Sequence, residues 1–373
     1  MTIFKTLSAD DRVSTKTLLH EAIPLTGTIV ANTYGTFPNE RNIQNFTHGM
    51  FQSVYDYPYL SSSANHIFDI SLGFHHTSGR YTAATSQKAK KNNLYNQMAQ
   101  VLMGYDKDGN IQRFDEDGDL ASGGTKITDA LFLTFSRLVV KDEIKKGSFQ
   151  MEVGLNAAYG TPNAAKGTIK DFGAAQSYKV NSPAGEYGIL YLSNSAGSNK
   201  VQGSKMVTAN GTANIVPCGL IYYQAGVVVL TSSMFEGSAG GNAGNGLLSS
   251  SVEWDAAGGH FITGAMQNYP TTASADYLRN RIVNIQFNNT IELNSTVYFC
   301  RVKHNEFNYS SNPTYLTGSQ IRVKNETGDV PISYITSIGL YSVDNELLAI
   351  GKFSEPIRKD NNIEMTFRAR VDY

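Results

Sequence analysis

The run Glu364-Met-Thr-Phe-Arg-Ala-Arg-Val371 alternates with a period of two. Met365, Phe367, Ala369 and Val371 fall on one side of an extended backbone and Arg368 and Arg370 on the other, as in a strand with one buried and one wet face. Comparable runs recur at Leu131–Val140, Ser148–Gly154, Tyr187–Leu192, Leu220–Tyr223, Arg281–Phe287, Thr296–Val302, Gln320–Val323, Ile335–Tyr341 and Glu346–Gly351. Short strand-like runs between turn residues read as a compact, β-rich protein. One helix interrupts them, from about Ala84 to Leu102, where Leu94, Tyr95, Met98, Val101 and Leu102 recur at three- and four-residue spacing before Gly104. Lys88, Lys90, Lys91 and Gln97 fill its other face, which predicts a solvated surface rather than a phosphate site. The expected fold is mainly β (α+β), antiparallel and β-sandwich-like, with one clear amphipathic helix near 84–104.

At 373 residues the chain is long enough for two or three domains. Its texture changes twice. A mixed zone covers 1–150, a Gly/Ser/Asn-rich zone of short strands covers 151–260 and reads as a β insertion, and a strand-dominated zone covers 261–373, expected to pack with the first. Charged residues make up 17%, below the ~25% of an average soluble domain, and the formal net charge is -1. No overall basic balance draws the chain to nucleic acid or acidic lipid. No segment offers the apolar length of a membrane span; the strongest run, Gly219–Leu230, is broken by Gln224 and glycines. The first residues, Met1–Arg12, are acidic where a signal peptide needs an apolar core, so folding in a cytoplasm is expected.

The residues that could carry chemistry do not assemble into a known motif. Asp106-x-Asp108-Gly-Asn110 and Asp115-x-Asp117-Gly-Asp119 match the first ligands of a calcium loop, but the sixth positions are Ile111 and Leu120 and the twelfth are Asp117 and Lys126, where Gly and Glu are required. A two-residue hairpin turn at Asp108-Gly109 and a polar loop are preferred to calcium. A second hairpin is expected between Leu131–Val140 and Ser148–Gly154. The adjacent His75 and His76 would point to opposite faces of a strand, and the remaining histidines are scattered. Gly237–Gly246 lacks the Gly-Lys-Ser/Thr ending of a phosphate loop, and there is no Gly-x-Ser-x-Gly elbow. Cys218 and Cys300, far apart in apolar runs, read as inert thiols. No catalytic residue, cofactor or metal ligand is assigned, and the chain is expected not to be an enzyme.

Aromatic clusters are more informative. Phe51–Leu60 and Glu306–Tyr315 combine rings with proline and few charges. Core packing accounts for part of them. The rest suit a protein–protein contact surface, with Tyr55, Tyr57, Tyr59, Phe307, Tyr309, Tyr315 and Tyr341 as interface candidates. Stacking on carbohydrate is the rival use of such rings.

The segment Tyr334-Ile-Thr-Ser-Ile-Gly-Leu-Tyr-Ser-Val-Asp-Asn-Glu-Leu-Leu-Ala-Ile-Gly351 resembles the I-T-x-I-G-L-Y-turn-L-L-A-I-G hairpin of tailed-bacteriophage tail-fibre and tail-collar proteins. In it Ile335, Ser337, Gly339 and Tyr341 would face one way, Ile338 and Leu340 the other, with the turn at Asp344-Asn345. Glu306–Tyr315, Phe353–Lys359, Val371–Tyr373 and Tyr55–Asp69 are similar to virion proteins of contractile-tailed phages. The resemblance implies a structural component of a phage virion in the tail or baseplate, joining neighbouring subunits or attaching fibres after assembly in the host cytoplasm. Its partners would be other virion proteins and further copies in a symmetric assembly, with no membrane and no direct nucleic acid. A receptor- or glycan-binding tail-fibre module and a neck, collar or capsid-surface protein are the alternatives.

Overall fold

The computed structural model describes residues 4–24, 42–55, 58, 60–62, 64–81, 85–120, 125–135, 143–194, 206–237, 247–248, 252–253, 266–267, 269–310, 316–317, 320–321, 328 and 330–373. The fold is mainly β with a minority of helix, and it is built on a large antiparallel sheet. The strands of the first half are β1 (Arg12–Pro24), β2 (Ile43–Asn45), β3 (Phe51–Tyr55), β4 (His66–Phe74), β5 (Phe114–Asp115), β6 (Lys126–Ile127), β7 (Asp129–Thr134), β8 (Glu143–Ile144), β9 (Gln150–Gly154) and β10 (Lys166–Lys170). Those of the second half are β11 (Tyr187–Asn194), β12 (Val207–Ala209), β13 (Thr212–Tyr222), β14 (Val227–Thr231), β15 (Ile282–Val302), β16 (Leu316–Thr317), β17 (Gln320–Ile321), β18 (Ile332–Tyr341), β19 (Leu347–Asp360) and β20 (Met365–Asp372). The helices are α1 (Ser86–Leu102), α2 (Ala174–Ser177) and α3 (Thr271–Arg281).

The chain forms two compact units, His20–Ile291 and a second made of Met1–Leu19 with Glu292–Tyr373. This division does not follow the compositional boundaries near 150 and 260. Strands from both sides of residue 150 join in one sheet of the larger unit, in the order β15-β9-β10-β11-β13-β14-β7-β4-β3-β2, the later strands meeting the earlier ones where β14 pairs with β7. The hairpin expected between Leu131–Val140 and Ser148–Gly154 does not form. β7 lies between β4 and β14, and β9 between β10 and β15. Chain proximity favoured the local pairing, but burial on two faces selected distant partners.

The centre of that sheet is covered on both sides. In β7, Ala130 and Phe132 join one core with Leu94, Tyr95, Ala99 and Leu102 of α1, while Leu131 and Leu133 join the opposite core with Ala275 and Leu278 of α3. β14 divides in the same way, Val227 and Val229 from Val228 and Leu230. A strand buried on both faces reads as a continuous apolar run, which explains Gly219–Leu230: it is the β13–β14 hairpin, turned at Gly226. α1 approaches β4 so closely that a Cβ on Gly73 would lie 2.6 Å from the Lys91 carbonyl oxygen and 2.8 Å from the Tyr95 nitrogen.

α1 ends where expected, at Gly104 with φ +75°. On its predicted solvated face Lys90 and Gln97 are exposed as expected, but two lysines differ. Lys88 and Lys91 are buried, and the Lys91 ammonium donates to the carbonyls of Met266 and Tyr269. Tertiary contacts on that face replace water with peptide oxygens. The turn after α1 also differs: Asp106 N donates to the Asn110 carbonyl and Gly109 N to that of Asp106, a three-residue loop closed by Gly109 at φ +82°.

In the smaller unit, β15 pairs with β20 through Ser295–Val302. The two runs at Arg281–Phe287 and Thr296–Val302 belong to one strand, β15. β20 keeps the expected alternation, although its apolar residues are half-buried rather than buried. β18 and β19 form a separate two-stranded hairpin.

Candidate docking surface

The β18–β19 hairpin turns through Val343–Asn345. Ser342 N donates to the Glu346 carbonyl at 2.8 Å, Asn345 N to that of Ser342 at 3.1 Å, and Asn345 takes φ +63°. Asn tolerates this conformation because its short polar side chain costs little there. The expected facing holds for Ile338 and Leu340, which are half-buried, and for Ser337, Gly339 and Tyr341, which are exposed. It fails for Ile335. The register breaks between Ile335 and Ser337, and this bulge turns Ile335 to the half-buried side.

What stays in water is unusually apolar for a strand pair. Leu348 is 68% exposed, Ile350 59%, Tyr334 63% and Val343 99%, with Leu347 also exposed. Tyr341 lies edge-on to Phe4, ring centroids 4.9 Å apart, and its ring closes over Gly339, where a Cβ would come within 2.8 Å. Phe353 of β19 packs on Phe367 of β20 at 4.8 Å.

The base of the hairpin fixes a loop that carries two of the candidate rings. Lys359, fully buried, donates to the His304 carbonyl at 3.1 Å, to Asn308 Oδ1 at 2.5 Å and to the Asp360 carbonyl at 2.6 Å. Ser333 Oγ donates to the Phe307 carbonyl. Phe307 is held at φ +56°, a conformation that costs a bulky residue about 1–3 kcal/mol unless its surroundings impose it. Beside it, Glu306 accepts from Lys5 Nζ at 2.6 Å and from Lys303 N at 2.9 Å, bonds that hold its carboxyl below the usual range.

Of the candidate rings, Phe307, Tyr309 and Tyr341 belong to this unit. Tyr309 and Tyr341 are exposed and Phe307 is half-buried. Tyr55 lies in the larger unit and is engaged internally: its hydroxyl donates to Gln44 Oε1 at 2.9 Å and its ring meets His66 edge-on. Tyr57, Tyr59, Tyr315 and most of the Gly237–Gly246 loop lie outside the described residues. Leu347, Leu348 and Ile350 were the surface residues missed in the sequence. Their signal was a run of large apolar side chains beside the turn, which reads equally well as core.

Several polar clusters of the larger unit invite comparison with active sites. Ser53, Asp69 and His66 meet, because a bulge beside Val54–Tyr55 brings His66 to the face of Asp69. The order is wrong for a nucleophilic triad. Ser53 Oγ, at 2.5 Å, and His66 Nε2, at 2.7 Å, both contact Asp69 Oδ1, so the carboxylate stands where the imidazole would have to be. Asp129 and Glu236 share the buried Arg80, and Glu143 and Glu186 share Lys146. In each case a cation occupies the space between the carboxylates.

Asp115, Asp117 and Asp119 bring three carboxylate oxygens within 4.8 Å of one another, and Lys126 pairs with the buried Asp115. Burial raises Asp117, and the neighbouring Asp115 adds to the shift. These are the residues that could hold a hard cation, with the lysine ammonium already serving as the counter-charge. His75 and His76 are not on a strand as expected. They follow the end of β4 and their rings touch, with centroids 4.0 Å apart. Burial, then the nearby His76 and Arg113, push His75 down to about 4. Cys218 is buried and Cys300 half-buried, and burial pushes both thiols up.

Compared with known proteins, the chain matches no family, no curated protein and no solved structure.

Proposed function

We propose that the chain is a structural component of a tailed-phage virion, a baseplate or tail protein that joins neighbouring subunits or attaches fibres by recognition rather than catalysis. The observation that carries this reading is the β18–β19 hairpin, which leaves Tyr334, Tyr341, Val343, Leu347, Leu348 and Ile350 exposed. A two-stranded hairpin with an uncovered apolar face is marginally stable in water, and such patches mark sites that a partner covers. The adjoining Phe307 loop, held in a costly backbone conformation by Lys359 and Ser333, is preorganised for contact, which lowers the entropic cost of association. The cation-bridged carboxylate pairs and the Ser–Asp–His order favour this reading over a hydrolase.

Proteomic analysis and immunogold labelling of purified particles from the encoding phage test it. The expected result is a fixed copy number per particle and label on the tail. Absence from particles, with glycan-array binding or turnover of a small compound by the free chain, overturns it in favour of the glycan-binding or enzymatic alternative.

A further inference from the structure

Among the described residues, β20 is paired on one side only. Its ladder with β15 is regular from Ser295–Asp372 to Val302–Met365, and no other described strand pairs with it. The register determines which backbone groups the other edge offers. Asn294 and Tyr373 exchange both N–H···O=C bonds, at 3.0 and 2.8 Å, and so form a hydrogen-bonded pair. Counting back by twos, Val371, Ala369, Phe367 and Met365 also turn their peptide groups toward β15. Asp372, Arg370, Arg368 and Thr366 therefore turn theirs outward, and Glu364 continues the series. These even-numbered residues also carry the exposed side chains. The edge has neither the proline nor the bulge that commonly protects such strands from pairing.

We propose that β20 pairs edge to edge with β20 of a second copy of this chain, antiparallel about a two-fold axis between the two Phe367 residues. A second copy is the occupant because the strand is complementary to itself in this register. Glu364 stands opposite the second copy's Arg370, and symmetry repeats the contact. Thr366 stands opposite Arg368. On the other face Ile363 meets Val371, Met365 meets Ala369 and Phe367 meets Phe367. The outward-facing peptide groups of Glu364, Thr366, Arg368 and Arg370 supply the hydrogen bonds, the usual source of affinity in strand addition.

Neighbouring registers are worse. An axis at Arg368 sets that residue against itself and Glu364 against Asp372. An axis at Ala369 sets Arg368 against Arg370. Like charges directly opposite are destabilising. An axis at Thr366 keeps opposite charges together but leaves Val371 outside the apolar match. The resulting interface is isologous, the type found in two-fold dimers. It does not depend on the virion reading.

Sedimentation of the full chain over about 1–100 μM tests the pairing, and a concentration-dependent dimer is expected. Arg368→Pro removes an outward N–H and leaves the β15 ladder intact, since proline is tolerated on a strand edge. It is expected to weaken the dimer by about 100-fold or more without changing the circular dichroism spectrum. Glu364→Arg and Arg370→Glu should each weaken self-association, and an equimolar mixture of the two should restore dimer, because each copy then meets the opposite charge. A chain monomeric throughout, a dimer indifferent to Arg368→Pro, or a mixture no better associated than either variant alone would overturn the proposal. If Arg368→Pro fails to fold, the exposed Glu364→Arg substitution and the mixing experiment decide it.

Discussion

The Lys359 ammonium donates to the main-chain carbonyl of His304 at 3.1 Å, so a residue at the end of β19 sets the shape of a loop fifty-five positions earlier. With its bonds to Asn308 and Asp360, this buried cation has three acceptors and stands where the hairpin meets the loop bearing Phe307.

Replacing Lys359 with Met keeps the stem and removes the donors, leaving two part-buried acceptors and the buried Asp360 carbonyl without them. A loss of about 2–3 kcal/mol is expected, with faster amide exchange across 304–310. Urea unfolding and hydrogen exchange measure the two effects. Unchanged protection of the loop would show that Lys359 does not hold it.

Gly73→Ala places a methyl group against the backbone of α1 at Lys91 and Tyr95, with no flexible side chain to give way. The cost expected for such overpacking is about 1–3 kcal/mol, read as a lower melting temperature. The open positions Gly79 and Gly160 are suitable controls, since a Cβ there meets nothing within 4 Å.

Asp171 is buried, with one oxygen accepting from Gly147 N at 2.7 Å and from the Tyr223 hydroxyl at 3.0 Å. Burial outweighs these bonds and pushes its carboxyl up to about 7. The folded state thus binds this proton more tightly than the unfolded chain, whose carboxyl titrates near ~3.9. The contribution to stability is complete below pH ~4 and is lost as the pH rises through about 7, a change of about 4 kcal/mol. Asp171→Asn should flatten that dependence and stabilise the protein at pH 8. Chemical denaturation of both proteins at pH 5 and pH 8 checks it.

Leu348→Glu and Ile350→Glu alter side chains that are already exposed, so the free chain should keep its stability within about 0.5 kcal/mol. Incorporation into assembled particles should fall about tenfold or more, as expected for a charge placed at the centre of a contact. Normal incorporation would remove the hairpin face from the docking surface.

Much of the local structure was legible in the residues. The helix ending before Gly104, the turn at Asp344-Asn345 and the alternation of β20 all follow from short-range rules of φ and side-chain direction. The partners of each strand were not legible. Nothing in Leu131–Val140 says that β7 will lie between β4 and β14, because pairing is chosen by covering both faces of the sheet at once. The same limit hid the burial of Lys91 and the meeting of Ser53, His66 and Asp69, which needs a bulge that shifts one residue to the other face.

By itself, then, the amino-acid order determined strand periodicity, the helix and the turns, since these depend on neighbours a few positions apart. Only the tertiary structure decided that Leu347, Leu348 and Ile350 remain in water while Lys359 and Asp171 do not. Burial depends on which distant surfaces come to lie over a side chain, and periodicity cannot tell an apolar face awaiting its own core from one awaiting a partner.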